Sequence, residues 1–240
     1  MKYIILAALL ATTTMSYGQE TKRKNIFPLW TFHKQFNKNI HGVSVGLATL
    51  NEKPRHLTTN GVKVELIGVG IALPLIPQSL VDEDDKIIPN DSLSEKINGL
   101  NLSAAGSVCR CRVAGISAGF IGQYNYKVNG ISGSYFMNMA QRHNGIQIAM
   151  WTDNYYMRGF QIGAMNNSFN TVGLQVGGGN YSDKTTGIQI GIYNKSKNLK
   201  GLQIGIWNVN QRRKFPFINW NFKNTMYYKL PNNVSVSSRV

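Results

Sequence analysis

"GIQIGIYN" at 187–194 and "GLQIGIWN" at 201–208 are nearly identical octets whose first residues lie 14 positions apart. The octet recurs upstream as strict copies, looser copies and faint relatives. Strict copies begin at Gly145, Gly159, Gly173, Gly187 and Gly201, looser ones at Gly99, Gly115 and Gly130, and faint ones at Gly42 and Gly61. Self-similarity at a constant spacing is typical of repeat architectures, so the octet predicts a fold built from one repeated unit.

Within each octet the apolar residues recur with a period of two. Leu202, Ile204 and Ile206 fall on one face of an extended chain, and Gln203 and Trp207 fall on the other. Glycine at the start and asparagine at the end suit bends with positive φ, and the linkers at 180–186 and 194–200 are rich in turn-forming residues. Each 14-residue unit is therefore predicted to be one strand of about eight residues followed by a turn.

Two architectures can use such units. An antiparallel meander would close into a barrel, with strands of about 27 Å that nearly cross the apolar band of an outer membrane. Similar phrases at 27–30 (FPLW) and 215–220 (FPFINW) would let the first and last strands meet and remove the open edge. A β-solenoid would coil each unit, but about 46 Å of extended chain leaves a thin core. We predict an all-β antiparallel meander closing into a barrel, with the β-solenoid as the alternative.

Two segments stand outside the repeats. Residues 1–18 combine a basic start, the apolar run at 3–11 and the small residues Ser16 and Gly18, which predicts a cleaved signal peptide. Residues 19–240 then form a single β-repeat domain. An irregular acidic insert at 76–97 interrupts it, with a helical turn predicted at 91–97. Long excursions of this kind often carry binding functions.

The charge of the chain is strongly one-sided. Net charge is +15, and six of the eleven acidic residues lie between 82 and 95, so the rest of the chain is basic. An exported basic protein is expected to meet anionic envelope components, such as outer-membrane lipid or an anionic surface glycolipid. No basic platform with interleaved aromatic residues indicates nucleic-acid binding.

The chemistry-bearing residues form no recognisable catalytic or metal-binding set. Cys109 and Cys111 point to one face of a strand, where a bond between them would strain the backbone, so they are predicted to be ordinary strand residues. Ser44 and Ser117 match the G-x-S-x-G hydrolase pattern but lie inside repeat octets rather than at a strand–turn–helix elbow. The acidic run at 82–85 lacks the spacing of a preformed calcium loop.

The four histidines are also scattered. His33, His41, His56 and His143 show none of the spacings that typically bind a metal on one element. We therefore expect no enzymatic activity, no cofactor and no metal.

The most regular polar feature is one glutamine per strict repeat, two residues after the glycine. These repeat positions are Gly145, Gln147, Gly159, Gln161, Gly173, Gln175, Gly187, Gln189, Gly201 and Gln203. Amides are costly to leave unpaired, so they predict a hydrogen-bonded ladder lining a filled interior. The alternative is a polar lumen or a shallow binding face.

The repeats also carry a resemblance. The pattern G-[ILF]-Q-[IV]-[GA] followed by Asn, the linker "NLKGLQIG" at 198–205 and the closing "FPFINWNF" at 215–222 resemble a mostly uncharacterised family of bacterial surface-repeat proteins. The resemblance is strong over 99–222 and weaker over 25–75. It implies an exported, envelope-associated protein without established enzymatic activity, and it supplies no catalytic or ligand residues.

These observations predict a non-enzymatic repeat protein of the cell envelope, exported to the outer membrane or cell surface. It would act as a scaffold, in adhesion or as a pore-like barrel. The alternatives are a periplasmic location and an extracellular binding module that uses the 76–97 loop or the glutamine-lined face.

Overall fold

The computed structural model describes residues 24–26, 31–32, 37–48, 55–75 and 93–223. Within them the chain is almost entirely extended. The strands are β1 (Lys24–Ile26), β2 (Thr31–Phe32), β3 (Lys38–Gly46), β4 (Leu57–Glu65), β5 (Glu95–Ser103), β6 (Val108–Gly119), β7 (Gly122–Ser134), β8 (Met137–Ile148), β9 (Trp151–Val209) and β10 (Lys214–Asn221). A short 3₁₀ helix, Gly70–Leu75, lies between β4 and β5. The all-β prediction is confirmed.

Strands β1 to β9 pair in parallel and wind into a β-solenoid, so the predicted antiparallel barrel is wrong and the alternative is correct. Each of β4 to β8 pairs in parallel with the strand before it, and β8 pairs in parallel with the start of β9. In the sheet order, β1 lies at one end and β10 at the other. The first and last strands therefore do not meet, and the predicted closure between them does not occur.

Strand β9 is one continuous extended segment of 59 residues that runs through successive coils. The linkers at 180–186 and 194–200, for which the sequence predicts turns, belong to this strand. In a solenoid, each coil brings the chain back beside the start of the previous coil, and both coils run in the same direction. The chain therefore bends at the corners of the coil and makes no hairpin turns. The predicted unit of strand plus turn is thus wrong in its second half.

One corner of every coil is a glycine. Ten of these residues, hereafter the corner glycines, have φ between 121° and 150°. They are Gly42, Gly61, Gly99, Gly115, Gly130, Gly145, Gly159, Gly173, Gly187 and Gly201. A Cβ at Gly187 would lie 1.9 Å from the carbonyl oxygen of Gly173, so both the backbone conformation and the stacking of coils require glycine. The repeat glycines mark the corners of the solenoid.

Four inward positions per coil fill the interior. Counting from the corner glycine, they are the second, seventh, ninth and twelfth residues after it. In the coil that begins at Gly187 they are Gln189, Asn194, Ser196 and Leu199, each 0–1% exposed. Each wall contributes only one layer of side chains to the interior, so a coil of 14 residues encloses enough space for them. The thin core expected from the length of the coil therefore does not rule out a solenoid.

Strand β10 covers the C-terminal end by running antiparallel to the last coil of β9. It turns Asn219 and Asn221 inward, where they are 0% and 5% exposed. Asn219 Nδ2 donates to Gln203 Oε1 at 3.3 Å, and Asn221 Nδ2 donates to the Leu199 carbonyl at 2.7 Å. The "FPFINW" segment therefore caps the amide interior, as terminal segments of repeat proteins commonly do.

The N-terminal half has a more apolar interior. Ile97, Val113 and Val128 are buried together with Cys109 and Cys111. Separately, Leu73 of the 3₁₀ helix packs against Met137 and Met139, with Val108 and Tyr124 at the border. The 3₁₀ helix in the segment between β4 and β5 thus packs against the wall of the solenoid.

The described residues include only part of the two segments that stand outside the repeats, so only some of the predictions for these segments can be compared with the structure. The signal peptide at 1–18 and residues 76–92 of the insert lie outside the described residues. The helical turn predicted at 91–97 is wrong over its last residues, because Glu95 to Ile97 already belong to β5. There, inward Glu95 and Ile97 alternate with outward Lys96, as a strand requires.

Candidate functional surface

The repeat glutamines lie inside the solenoid, and the four from Gln161 to Gln203 bond to one another, whereas Gln147 bonds to Asn138 and Asn154. Gln147, Gln161, Gln175, Gln189 and Gln203 are each 0% exposed. Gln175 Nε2 donates to Gln161 Oε1 at 2.8 Å, and the next two steps of the ladder measure 2.7 Å each. Solvent does not reach these amides in the folded chain, so they form an internal ladder rather than an outer surface.

A second amide ladder runs alongside with the opposite polarity. Asn166 Nδ2 donates to Asn180 Oδ1 at 2.8 Å, Asn180 donates to Asn194 at 2.7 Å, and Asn194 donates to Asn208 at 2.8 Å. These bonds point toward the C-terminus, whereas the glutamine bonds point toward the N-terminus. The amide dipoles of the two ladders therefore oppose each other, and the buried polar groups are paired without building up a net dipole.

A buried ionic cluster replaces the amides where the insert leaves the solenoid. Lys63 occupies the glutamine position of its coil, and its Nζ lies 3.1 Å from Glu65 Oε1 and 2.9 Å from Glu95 Oε2. Arg55 Nη2 lies 3.0 Å from Glu95 Oε2. Burial opposes the charge on Lys63, but the carboxylates of Glu95 and Glu65 outweigh it and raise the pKa of the ammonium above its ordinary value. The cluster joins the end of β4 to the start of β5.

Cys109 and Cys111 are joined by a disulfide bond, so the prediction that they are unpaired strand residues is wrong. Both side chains do point inward on one face, as expected. The pairing of β6 with β7 shifts between Cys109 and Arg112, which marks a β-bulge. The bulge shortens the strand locally and leaves the two Cα atoms 5.1 Å apart, within the range that a disulfide spans.

The candidate nucleophiles are interior residues. Ser44 and Ser117 are each 0% exposed, and Ser117 Oγ donates to Gln123 Oε1 at 2.8 Å. His41 and His56 lie on different segments, and His33 is outside the described residues. In the described part of the chain, no group of three or more His, Cys, Asp or Glu side chains could hold a metal ion.

His143 is buried at an inward position of its coil, between Val128 and Met157 on the neighbouring coils. Its Nε2 lies 2.8 Å from Ser132 Oγ. Burial lowers its pKa from 6.5 to about 4. The folded chain therefore holds a neutral imidazole under conditions in which an unfolded chain would already bind a proton.

This burial predicts a loss of stability in mild acid. As the pH falls below 6.5 the unfolded chain takes up a proton at residue 143 and the folded chain does not, so unfolding becomes more favourable until the pH reaches about 4. The expected contribution is about 3 kcal/mol. Urea unfolding at several pH values checks it. A His143→Met variant, which copies the next coil, should lose this part of the pH dependence; identical curves would contradict it.

The outer wall next to the corner glycines is apolar. Residues one and three positions after each corner glycine point outward, and we call these two columns the apolar face. Exposed members are Ile116, Ile131, Ile148, Phe160, Ile162, Ile188, Ile190 and Ile204, between 38% and 51% exposed. These exposed members span the seven coils from Gly115 to Gly201, a length of about 29 Å at the usual strand spacing. Exposed apolar surfaces of this size typically mark interaction sites.

A groove lies beside the apolar face, near the N-terminal end of the solenoid. Ala104 and Ala118 are small, and between the larger Leu66 and Phe120 they leave a groove of about 510 Å³. Leu66 and Phe120 are 58% and 69% exposed at its edges. The groove lies along the edge of the apolar face, between residues three positions after the corner glycines and residues five positions after them, and its lining is mainly apolar.

The opposite side of the corner glycines is polar and basic. Residues three and one positions before each corner glycine point outward, and they include Lys96, Arg112, Lys127 and Arg142. The described acids offer this side little countercharge, since Glu65 and Glu95 are internal and Asp183 pairs with Lys197 at 2.9 Å. Of the two outer walls that meet at the corner glycines, one is therefore apolar and the other is polar and basic.

Sequence reasoning missed two of these features. The ionic cluster could have been suspected, because Lys63 stands in the octet position that later copies give to glutamine. The bonded cysteines carried no comparable indication, because a β-bulge changes the spacing that a regular strand would impose.

Two further findings concern identity and membrane insertion. Comparison with protein-family models, curated proteins and solved structures finds no match for this chain. Among the described residues no helix has the length and hydrophobicity needed to cross a membrane.

Proposed function

We propose that this chain is a non-enzymatic, exported repeat protein of the bacterial cell envelope, which acts by presenting the outer walls of a rigid β-solenoid to other envelope components. The observation that carries the proposal is the apolar face. Eight of its large side chains, from six of the seven coils between Gly115 and Gly201, are at least 38% exposed. Such a surface in water costs free energy, which association with acyl chains or another apolar surface would recover.

Two other observations support an envelope role. The interior is filled by bonded side chains, as in the glutamine and asparagine ladders, and this filled core supports the role of a scaffold. The surplus of positive charge on the outside would add attraction to anionic lipid or glycolipid in the same compartment.

Fractionation tests this proposal. The full chain, produced with a C-terminal tag in a Gram-negative host, should be found in the envelope fraction, with its N-terminus beginning at Gln19. It should stay there in high salt and be released by mild detergent, since apolar burial does not respond to screening as charge does. Retention in the cytosol, or full release in the first soluble fraction, would refute the envelope assignment.

A matched pair of variants tests the role of the apolar face. Ile188→Asn with Ile190→Asn makes two outward residues of this face polar, and most of the protein should move to the soluble fraction. Lys195→Asn with Lys200→Asn alters exposed residues of the same coil elsewhere and should leave the distribution unchanged. Equal behaviour of both variants would show that the apolar face does not hold the protein in the envelope.

A further inference from the structure

Four cations occupy the same position on four consecutive strands. Lys96 pairs in register with Arg112, Arg112 with Lys127, and Lys127 with Arg142. Because strands in a sheet lie about 4.8 Å apart, the four residues form a column along the solenoid axis, with their backbones at that spacing. We call this column the basic ladder.

The basic ladder faces outward. The residue after each cation, Ile97, Val113, Val128 or His143, points into the interior and is no more than 1% exposed. The cations themselves lie on the outer wall and are partly exposed.

This arrangement is unfavourable without a partner. Like charges directly opposite each other on neighbouring strands destabilise a sheet. Within the described part of the chain, Lys96, Arg112 and Lys127 make no hydrogen bond or ion pair that would offset the repulsion. The carboxylates of Glu95, next to Lys96 in β5, and of Glu65, at the end of β4, point inward to Lys63. An anion bound along the ladder would remove this cost.

A row of amides lies beside the charges. Asn98, Asn129 and Asn144 stand two residues after Lys96, Lys127 and Arg142, on the same outer wall. Asn144 Nδ2 donates one hydrogen to Asn129 Oδ1 at 2.8 Å, which leaves its second hydrogen for an outside acceptor. At the end of the ladder the Arg142 guanidinium lies 5.1 Å from the ring centre of Tyr156. The cations and the asparagines thus form two adjacent columns, and Tyr156 continues the column of cations.

We propose that the basic ladder binds an extended acidic polysaccharide lengthwise, with about one sugar unit per coil. The strand spacing is close to the length of one sugar unit in an extended chain, so carboxylate or sulfate groups on the glycan would meet successive cations. The hydroxyl groups of the same sugars would meet the asparagine row. A bilayer would need a broad basic surface rather than a single column, and the duplex of a nucleic acid turns its phosphates away from a straight line.

This inference adds a binding partner to the proposed envelope role. It rests on that role only for the compartment in which the protein would meet the glycan. Binding is measured with purified protein, so the two can fail separately. A negative binding assay would leave envelope fractionation standing, and a cytosolic protein could still bind the glycan in the assay.

Calorimetric titration with oligogalacturonates of defined length tests the proposal. The affinity should rise with each unit up to about four and then level off, because the ladder has four cations. Lys96→Gln, Arg112→Gln and Lys127→Gln together should weaken binding by at least about thirtyfold, since three charge-assisted contacts are lost. Circular dichroism must show that this triple variant keeps its β-structure.

The control removes the same charge elsewhere. Lys195→Gln, Lys200→Gln and Lys214→Gln together alter three exposed lysines outside the ladder and should change the affinity by less than about threefold. Equal losses in the two triple variants would overturn the assignment to the ladder. Tighter, ladder-dependent binding to anionic lipid vesicles or to DNA than to the oligogalacturonate would overturn the assignment to an acidic polysaccharide.

Discussion

Replacing Gly187 with alanine is expected to lower the free energy of unfolding by about 4 kcal/mol, and in a chain of modest stability to prevent folding. Two effects combine at this corner. The backbone has φ of 140°, which alanine rarely adopts, and its Cβ would lie 1.9 Å from the Gly173 carbonyl oxygen. Because stacked coils stabilise only their neighbours, the change should loosen the coils on both sides. Urea unfolding followed by circular dichroism measures the loss.

Gly133→Ala provides the matched control. Gly133 lies in β7 but is not a corner glycine, and a Cβ at this position would have no heavy atom within 4 Å beyond its chain neighbours. The unfolding free energy should change by less than about 1 kcal/mol, because the main effect of the alanine is to stiffen the unfolded chain. If both glycines tolerate alanine equally, the stacked corner conformation is not what the repeat glycines provide.

Gln189→Leu is expected to lower the unfolding free energy by about 3 kcal/mol, although it keeps the side-chain volume nearly constant. Gln189 Nε2 donates to Gln175 Oε1, and Gln189 Oε1 accepts from Gln203 Nε2, each at 2.7 Å. Leucine would leave both neighbours with one bond fewer at buried positions, and a buried unpaired polar atom costs about 1–3 kcal/mol. Thermal and urea unfolding of the purified variant provide the measurement.

The adjacent residue gives the comparison for this prediction. Ile190 points outward and is 38% exposed, so Ile190→Thr should change stability by less than about 1 kcal/mol. If Gln189→Leu is as stable as the unaltered chain, the amide ladder contributes little and apolar filling would serve equally well. If Ile190→Thr is the more damaging variant, the assignment of inside and outside is reversed.

Much of the local structure was predictable from the octets. Alternation with a period of two placed Leu202, Ile204 and Ile206 on one face, and the structure confirms that Gln203 points the other way. The prediction that Trp207 shares the face of Gln203 is wrong, because Trp207 is exposed. The regular glycines indicated positions of positive φ, which Gly187 and Gly201 have. These properties depend on neighbouring residues along the chain, so a single sequence contains them.

The pairing of the strands was not predictable in the same way. An eight-residue alternating segment fits an antiparallel barrel and a parallel solenoid equally well, since both place alternate side chains on opposite walls. The thin interior weighs against the solenoid only if the core is assumed to be apolar. Columns such as Gln175 to Gln189 and Asn180 to Asn194 fill it instead, with amides that bond along the axis.

The outer walls depend still more on the tertiary structure. Lys96, Arg112, Lys127 and Arg142 are separated by 15 or 16 residues in the sequence, where they look like isolated basic residues. They become a ladder only because the coils stack in register despite their unequal lengths. Net charge predicted an anionic partner, but it could not say where on the molecule that charge would be concentrated.

The sequence by itself determined that this protein is a β-repeat with glycine corners and one polar and one apolar side to each strand, because these features follow from local backbone preference and side-chain alternation. Only the tertiary structure decided that the strands run parallel, that the amides lie inside and that the cations form a column. Those outcomes depend on which coil lies against which, and that register is set by contacts between residues far apart in the chain.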